Sequence, residues 1–294
     1  MNSTLMSNAN INMLPDAALA IDSAMLSEQD HLYLLIDGAQ TNRLLPKIQK
    51  NRYCAEHLSL FDGTLEEANA DVAPYLVRVK DLSELTKAID SLKSTLRSEG
   101  ALSVLVTPLS ADALKHRLIE RLNAKLPDNF DCLLRFFDAR VLPHLHQALN
   151  PAQQAAFFGP VKQWWYPSHQ RQWKALSVKF AEINTFESPL ELNDQQQNAL
   201  IDALYPYSVI EHFMITDEAL LDSVAPADRY AFFARLLKAA AQYGIDGGAT
   251  AILFCTLGLT RGPDFYEQAD WQSGLNRVKR GEITLQQAVK AHHD

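Results

Sequence analysis

The run His31-Leu-Tyr-Leu-Leu-Ile-Asp37 constrains the fold more than any other stretch. Apolar and aromatic residues follow one another without polar alternation, and Asp37-Gly38 closes the run. Such a strand is buried on both faces, so it needs cover above and below a sheet. Shorter apolar runs recur at Leu58–Phe61, Ala73–Val79, Leu102–Val106 and Cys132–Asp138, and Phe157–Tyr166 reads as another extended run, turned by Gly159-Pro160. Between them the period changes. Thr41–Lys50 and Val141–Leu149 read as helices. Leu85, Ala88, Ile89, Leu92 and Leu96 fall on one helical face behind Asp81-Leu82-Ser83-Glu84, a capping-box pattern. Ser110 caps a further helix striped with Leu114, Leu118, Ile119 and Leu122. The alternation predicts an α/β domain over residues 31–166, with a mixed, mostly parallel sheet flanked by helices.

Beyond Tyr166 the texture changes. Residues 167–192 read as a polar connector with one helix from Arg171 to Glu182. Residues 193–294 carry only helical patterns, such as Tyr230, Phe233, Leu236, Leu237 and Ala240 between Pro226 and Gly244. An all-α C-terminal lobe is the expectation. Residues 1–30, rich in Ser, Asn and Ala, read as a flexible N-terminal arm.

A hydrophobic share of 47% supports a real core, and a net charge of −8 argues against nucleic acid as the main partner. Cys54, Cys132 and Cys255 are scattered, which suits buried thiols in a reducing compartment. The first basic residue is Arg43, so no secretory signal is expected, and no apolar run reaches the roughly 20 residues of a membrane span. The expected location is cytoplasmic.

No catalytic, metal or cofactor signature is complete. Gly244, Gly247 and Gly248 follow a helix rather than a strand, against a dinucleotide loop. His144 and His146 do not share a helix face. Asp37, Asp62 and Asp138 stand at strand ends, where they suit either turns or the acid–base site of a hydrolase. Arg135, inside an apolar run, calls for a carboxylate, with Asp71 or Asp138 as the sequence candidates. Trp164 and Trp165 are adjacent, so on a strand they point to opposite faces, one toward the core and one toward other cover.

Five stretches resemble a known family in order and spacing: Tyr33–Ala39, Leu60–Thr64, Asp71–Val77, Leu134–Leu142 and Phe157–Pro160. The family is the type VI secretion effector adaptors, or chaperones, of the domain of unknown function 4123 type. One departure is Ala139, where the family usually has Pro; the flanking Asp138 and Arg140 are kept. The resemblance implies a non-catalytic protein without a cofactor. Such an adaptor binds an effector, often by its N-terminal segment, and loads it onto the VgrG spike. Together with the aromatic and charged residues of these runs and the adjacent tryptophans, it makes Asp71, Tyr75, Arg135, Phe137, Asp138, Arg140, Trp164 and Trp165 the candidate partner-binding set. The alternative is a hydrolase using Asp37, Asp62 and Asp138.

Overall fold

The computed structural model describes residues 26–293, so most of the proposed N-terminal arm lies outside the described residues. The chain divides into two compact units after Leu200.

The first unit is built on β1 (His31–Asp37), α1 (Leu44–Gln49), β2 (Cys54–Ser59), β3 (Pro74–Val79), α2 (Leu85–Leu92), β4 (Leu102–Thr107) and α3 (Ala111–Ile119). Next come β5 (Asn123–Lys125), β6 (Asp131–Leu133), α4 (Leu142–Ala148), α5 (Pro151–Phe158), β7 (Gln163–Pro167), β8 (Trp173–Ala175) and β9 (Leu190–Glu191). Six strands form one sheet in the order β2-β3-β1-β4-β7-β8, and β6-β5-β9 form a second, small sheet.

Every neighbour pair in the six-stranded sheet is antiparallel. The mostly parallel sheet expected from the sequence is therefore wrong. Among the described residues the one parallel pairing is β5 with β9 in the small sheet. The error has a physical cause. The apolar run of β1 reports burial on both faces, not the direction of its neighbours. α1 and α2 do connect parallel strands, but not adjacent ones. β1 and β2 both run antiparallel to β3, which lies between them, and β3 and β4 both run antiparallel to β1. Each of these two crossovers skips one strand, so the contacts among β1 to β4 are antiparallel, and β7 and β8 continue the sheet as direct antiparallel neighbours.

Register fixes which side chains share a face. Tyr33 lies opposite Leu105, and Leu105 opposite Trp164, so the three share one face. That face is covered by an aromatic set: Phe136 and Phe158 meet the Trp164 ring edge-on at 6.1 and 5.8 Å, and Phe157 meets Phe136 at 5.6 Å. Edge-to-face packing of this kind adds about 0.5–1.5 kcal/mol per pair beyond the area buried. α2 adds Leu85, Ala88, Ile89 and Leu92 to the same core, the stripe its spacing predicts. Its capping box is not formed: Asp81 bonds the Ser83 hydroxyl and caps no helix N–H.

Two further expectations fail around residues 131–182. Cys132–Asp138 is not one strand, since β6 ends at Leu133 and the chain turns at Arg135 and Asp138. Residues 171–182 are not helical. β8 hydrogen-bonds to β7 as the sheet's last strand, and an irregular segment follows. That segment is held by arginines of the α3 region: Arg117 donates to the carbonyls of Ala181 and Glu182. Arg121, fully buried, donates to the carbonyls of Arg117, Ala156 and Phe157 and to Asn184 Oδ1. Burial pulls the Arg121 guanidinium down to about 10, against the nearby Glu120 carboxylate.

α6 (Asp194–Thr216) runs across the division. The second unit adds α7 (Arg229–Gln242), α8 (Gly248–Arg261), α9 (Ala269–Lys279) and α10 (Leu285–His293). It is helical, as its patterns predict. Its core joins Phe213, Phe233, Phe254, Phe265, Trp271 and Leu275. Gly258 lets α8 close on α7, because a Cβ there would lie 2.4 Å from Leu236 Cδ1.

Candidate partner-binding site

The end of the sheet where β1 finishes and β4 begins gathers most of the polar residues buried in the first unit. Asp37, fully buried, closes β1 and accepts three hydrogen bonds: from the Ala39 N–H at 3.0 Å, Gln40 Nε2 at 2.7 Å and an Arg135 guanidinium nitrogen at 2.6 Å. A short charge-assisted contact of this kind holds both partners. The Gln40 amide oxygen in turn accepts from the Ser98 hydroxyl. Asp37 is thus the sequence-predicted partner class for Arg135 but not either predicted residue: Asp71 and Asp138 do not pair with it. The missed signal was the turn residue itself, placed where a loop 98 residues later could reach it.

The same loop delivers the rest. Arg135 keeps 44% of its side chain exposed and lies over the Phe137 ring, 5.7 Å from its centroid. Phe137 is buried and packs edge-on against Phe61 and Phe136. Asp138, also buried, takes Arg140 in a two-pronged ion pair at 2.8–3.3 Å and accepts the Arg140 backbone N–H. Gly100 is what lets this pair close. A Cβ there would sit 2.5 Å from Asp138 Oδ1 and 2.8 Å from Arg140 Nε, and the Gly100 carbonyl accepts the Ala139 N–H. Gly38 plays the same part on the other side, with a Cβ position 2.2 Å from the Ala73 carbonyl oxygen.

The remaining candidates divide by burial. Tyr75 is buried and its hydroxyl reaches the Ala70 carbonyl at 3.4 Å. Trp164 is fully buried and donates to Ser103 Oγ at 3.0 Å; Trp165, on the opposite face, is half-buried and donates to Gln163. Asp71 is exposed, in the connection between β2 and β3 that also carries the exposed Val72 and the almost fully exposed Leu65. Of the eight, Arg135, Asp71 and Trp165 keep substantial surface for a partner; the others shape the core beneath.

The three strand-end carboxylates do not act together. Asp37 is engaged by Arg135, Asp138 by Arg140, and Asp62, exposed, by Lys115 at 3.0 Å. Among the described residues no group of three or more His, Cys, Asp or Glu side chains is placed to hold a metal ion.

Two polar residues that sequence reading passed over stand beside this cluster. Glu99 opens the short turn ahead of β4, and burial pushes its carboxyl up to about 7 against the pull of Arg171 and Arg140. Arg171 lies in the β7–β8 turn. Arg171 reads in the sequence as the first residue of a helix, and no local pattern marks its meeting with Glu99.

Residues 32–156 match the model of a family described as Domain of unknown function (DUF4123). No curated protein matches the chain. No solved structure matches it. Among the described residues no helix is long and apolar enough to cross a membrane.

Proposed function

We propose that the protein is a non-catalytic adaptor of the type VI secretion system, acting in the cytoplasm of the producing cell. It binds an effector, through that effector's N-terminal segment, and helps load it onto the VgrG spike. The observation that carries the reading is the family match over residues 32–156, which spans four of the five stretches whose order resembles such adaptors and ends just before the fifth. The geometry suits holding rather than bond-breaking. Arg135 is tied through one guanidinium nitrogen to a buried carboxylate, lies over an aromatic ring and keeps nearly half of its side chain exposed. A guanidinium so anchored loses little entropy on binding and serves as an interface anchor. A hydrolase built on Asp37, Asp62 and Asp138 gains no support, because each carboxylate is engaged by its own cation.

The test is capture of the effector and VgrG encoded beside this protein, from cells with the wild type, with a deletion, and with Arg135→Ala. Deletion should leave the effector unloaded and unsecreted, and Arg135→Ala should weaken effector capture about tenfold or more. An effector that stays soluble, loaded and secreted in the deletion strain sinks the reading.

A further inference from the structure

Glu99, Arg171 and Trp173 share an unusual condition. The Glu99 carboxylate makes no hydrogen bond or ion pair among the described residues, although Arg171 and Arg140 are the charges that act on it. Arg171 Nε and the Trp173 indole nitrogen are buried donors without an acceptor. Buried polar groups are normally paired, and leaving one unmade costs about 1–3 kcal/mol. Arg171 is also held in the left-handed region, at φ 56°, which an arginine adopts at a cost that glycine would avoid. The turn around it is closed from both sides. Arg171 N–H donates to the Ser168 carbonyl, Ser168 N–H donates to the Gln172 carbonyl, and Gln172 N–H donates to Ser168 Oγ. The turn therefore fixes the backbone at Arg171, whose charge acts on Glu99.

The geometry points to a carboxamide-binding site, in which a ligand C=O accepts from Arg171 Nε and the ligand N–H donates to the Glu99 carboxylate. The charge pattern selects this chemistry. A carboxylate ligand would satisfy Arg171 but set a second negative charge against Glu99. A cation would suit Glu99 but meet Arg140 and Arg171 and leave Nε unmade. A neutral group with one donor and one acceptor satisfies both sides. Trp173, first residue of the sheet's last strand and paired with Pro167, offers its indole N–H to a second carbonyl. A carboxyl that titrates near neutrality in such a place is typical of binding sites. That the amide belongs to the main chain of an effector segment rests on the adaptor reading; the amide site itself does not.

The experiment follows the Arg171 Nε–H and Trp173 Nε1–H resonances by nitrogen-15 NMR of the full chain, titrated with N-methylacetamide, acetamide or acetate at pH 8. Both amides should shift the Arg171 signal saturably, N-methylacetamide more strongly if the main chain is the ligand and acetamide if an Asn or Gln side chain is. In Arg171→Lys, which keeps the charge but removes the Nε donor, the shift of the Trp173 signal should need about tenfold more amide. Glu99→Leu should do the same. A stronger response to acetate, no response to any probe, or a titration unchanged in Arg171→Lys overturns the site. Effector capture separates the two proposals. If the amides saturate the site but the wild type captures no effector, the adaptor reading fails and the site stands. If Arg171→Lys loses the amide yet captures effector fully, the site serves another ligand.

Discussion

Asp37 closes β1 and Glu99 lies in the turn just ahead of the neighbouring β4, at the end of the sheet where Ile36 pairs with Leu102. Asp37 is fully buried and accepts from a backbone N–H, an amide and a guanidinium. Glu99 is half-buried beside two guanidiniums and bonds to neither among the described residues. Their arginines differ in the same way. Arg135 reaches Asp37 at 2.6 Å, whereas Arg171 keeps a buried donor unused. A carboxylate whose bonds are complete is part of the scaffold. One whose bonds are incomplete costs stability and persists where a ligand can complete them. The contrast separates what holds the protein together from what it offers to a partner.

The completed side should break hardest, and Arg121 is its extreme case. Its guanidinium satisfies three backbone carbonyls and an Asn side chain with no exposure at all. Arg121→Met should leave the α5 carbonyls of Ala156 and Phe157 unmade and cost about 3–5 kcal/mol in urea unfolding. Asp37→Ala comes next. It strands the Gln40 amide and the Ala39 N–H and removes the anchor of Arg135, for a loss of about 3 kcal/mol. If Asp37→Ala instead unfolds at the wild-type urea concentration, the network is not structural and the contrast with Glu99 collapses.

Glu99 should respond in the opposite sense. Its folded value, about 7, is raised above its ordinary 4.5 by burial. The folded state therefore holds the proton more tightly than the unfolded chain. Its contribution is neutral below about 4.5 and becomes a growing penalty as pH rises through that window to about 7. Glu99→Gln removes the titration. Relative to wild type it should gain about 1–2 kcal/mol between pH 4.5 and pH 8, after allowance for partial exposure. The check is paired unfolding curves at the two pH values. A difference that stays constant shows that Glu99 is not the titrating group.

How much of this could be read beforehand divides along the same line. Periodicity located β1, β3 and β4, the buried stripe of α2 and the helical second unit, because each pattern reports local burial. Strand direction was not legible, because a doubly buried strand such as β1 has the same composition whichever way its neighbours run. Arg135 was marked by its apolar surroundings, but its partner was not, since Asp37 lies 98 residues away and reads as a turn. Glu99 and Arg171 gave no signal at all. Their meeting depends on the β7–β8 hairpin returning to the start of β4, and the sequence reads the second half of that hairpin, from Arg171, as the beginning of a helix.

The smallest effect is also the sharpest test of the contrast. Arg171→Lys keeps a positive charge facing Glu99 and removes a buried donor that already lacks a partner. On the scaffold side, the loss of a buried guanidinium contact is expensive. Here nothing is broken, and an unmade N–H disappears. Stability should therefore move by less than about 0.5 kcal/mol, in either direction, in urea unfolding at pH 7. A loss of about 2 kcal/mol would mean that Arg171 carries a structural bond comparable to that of Arg135. In that case the two arginines belong to one scaffold, and the distinction between completed and open groups at this end of the sheet disappears.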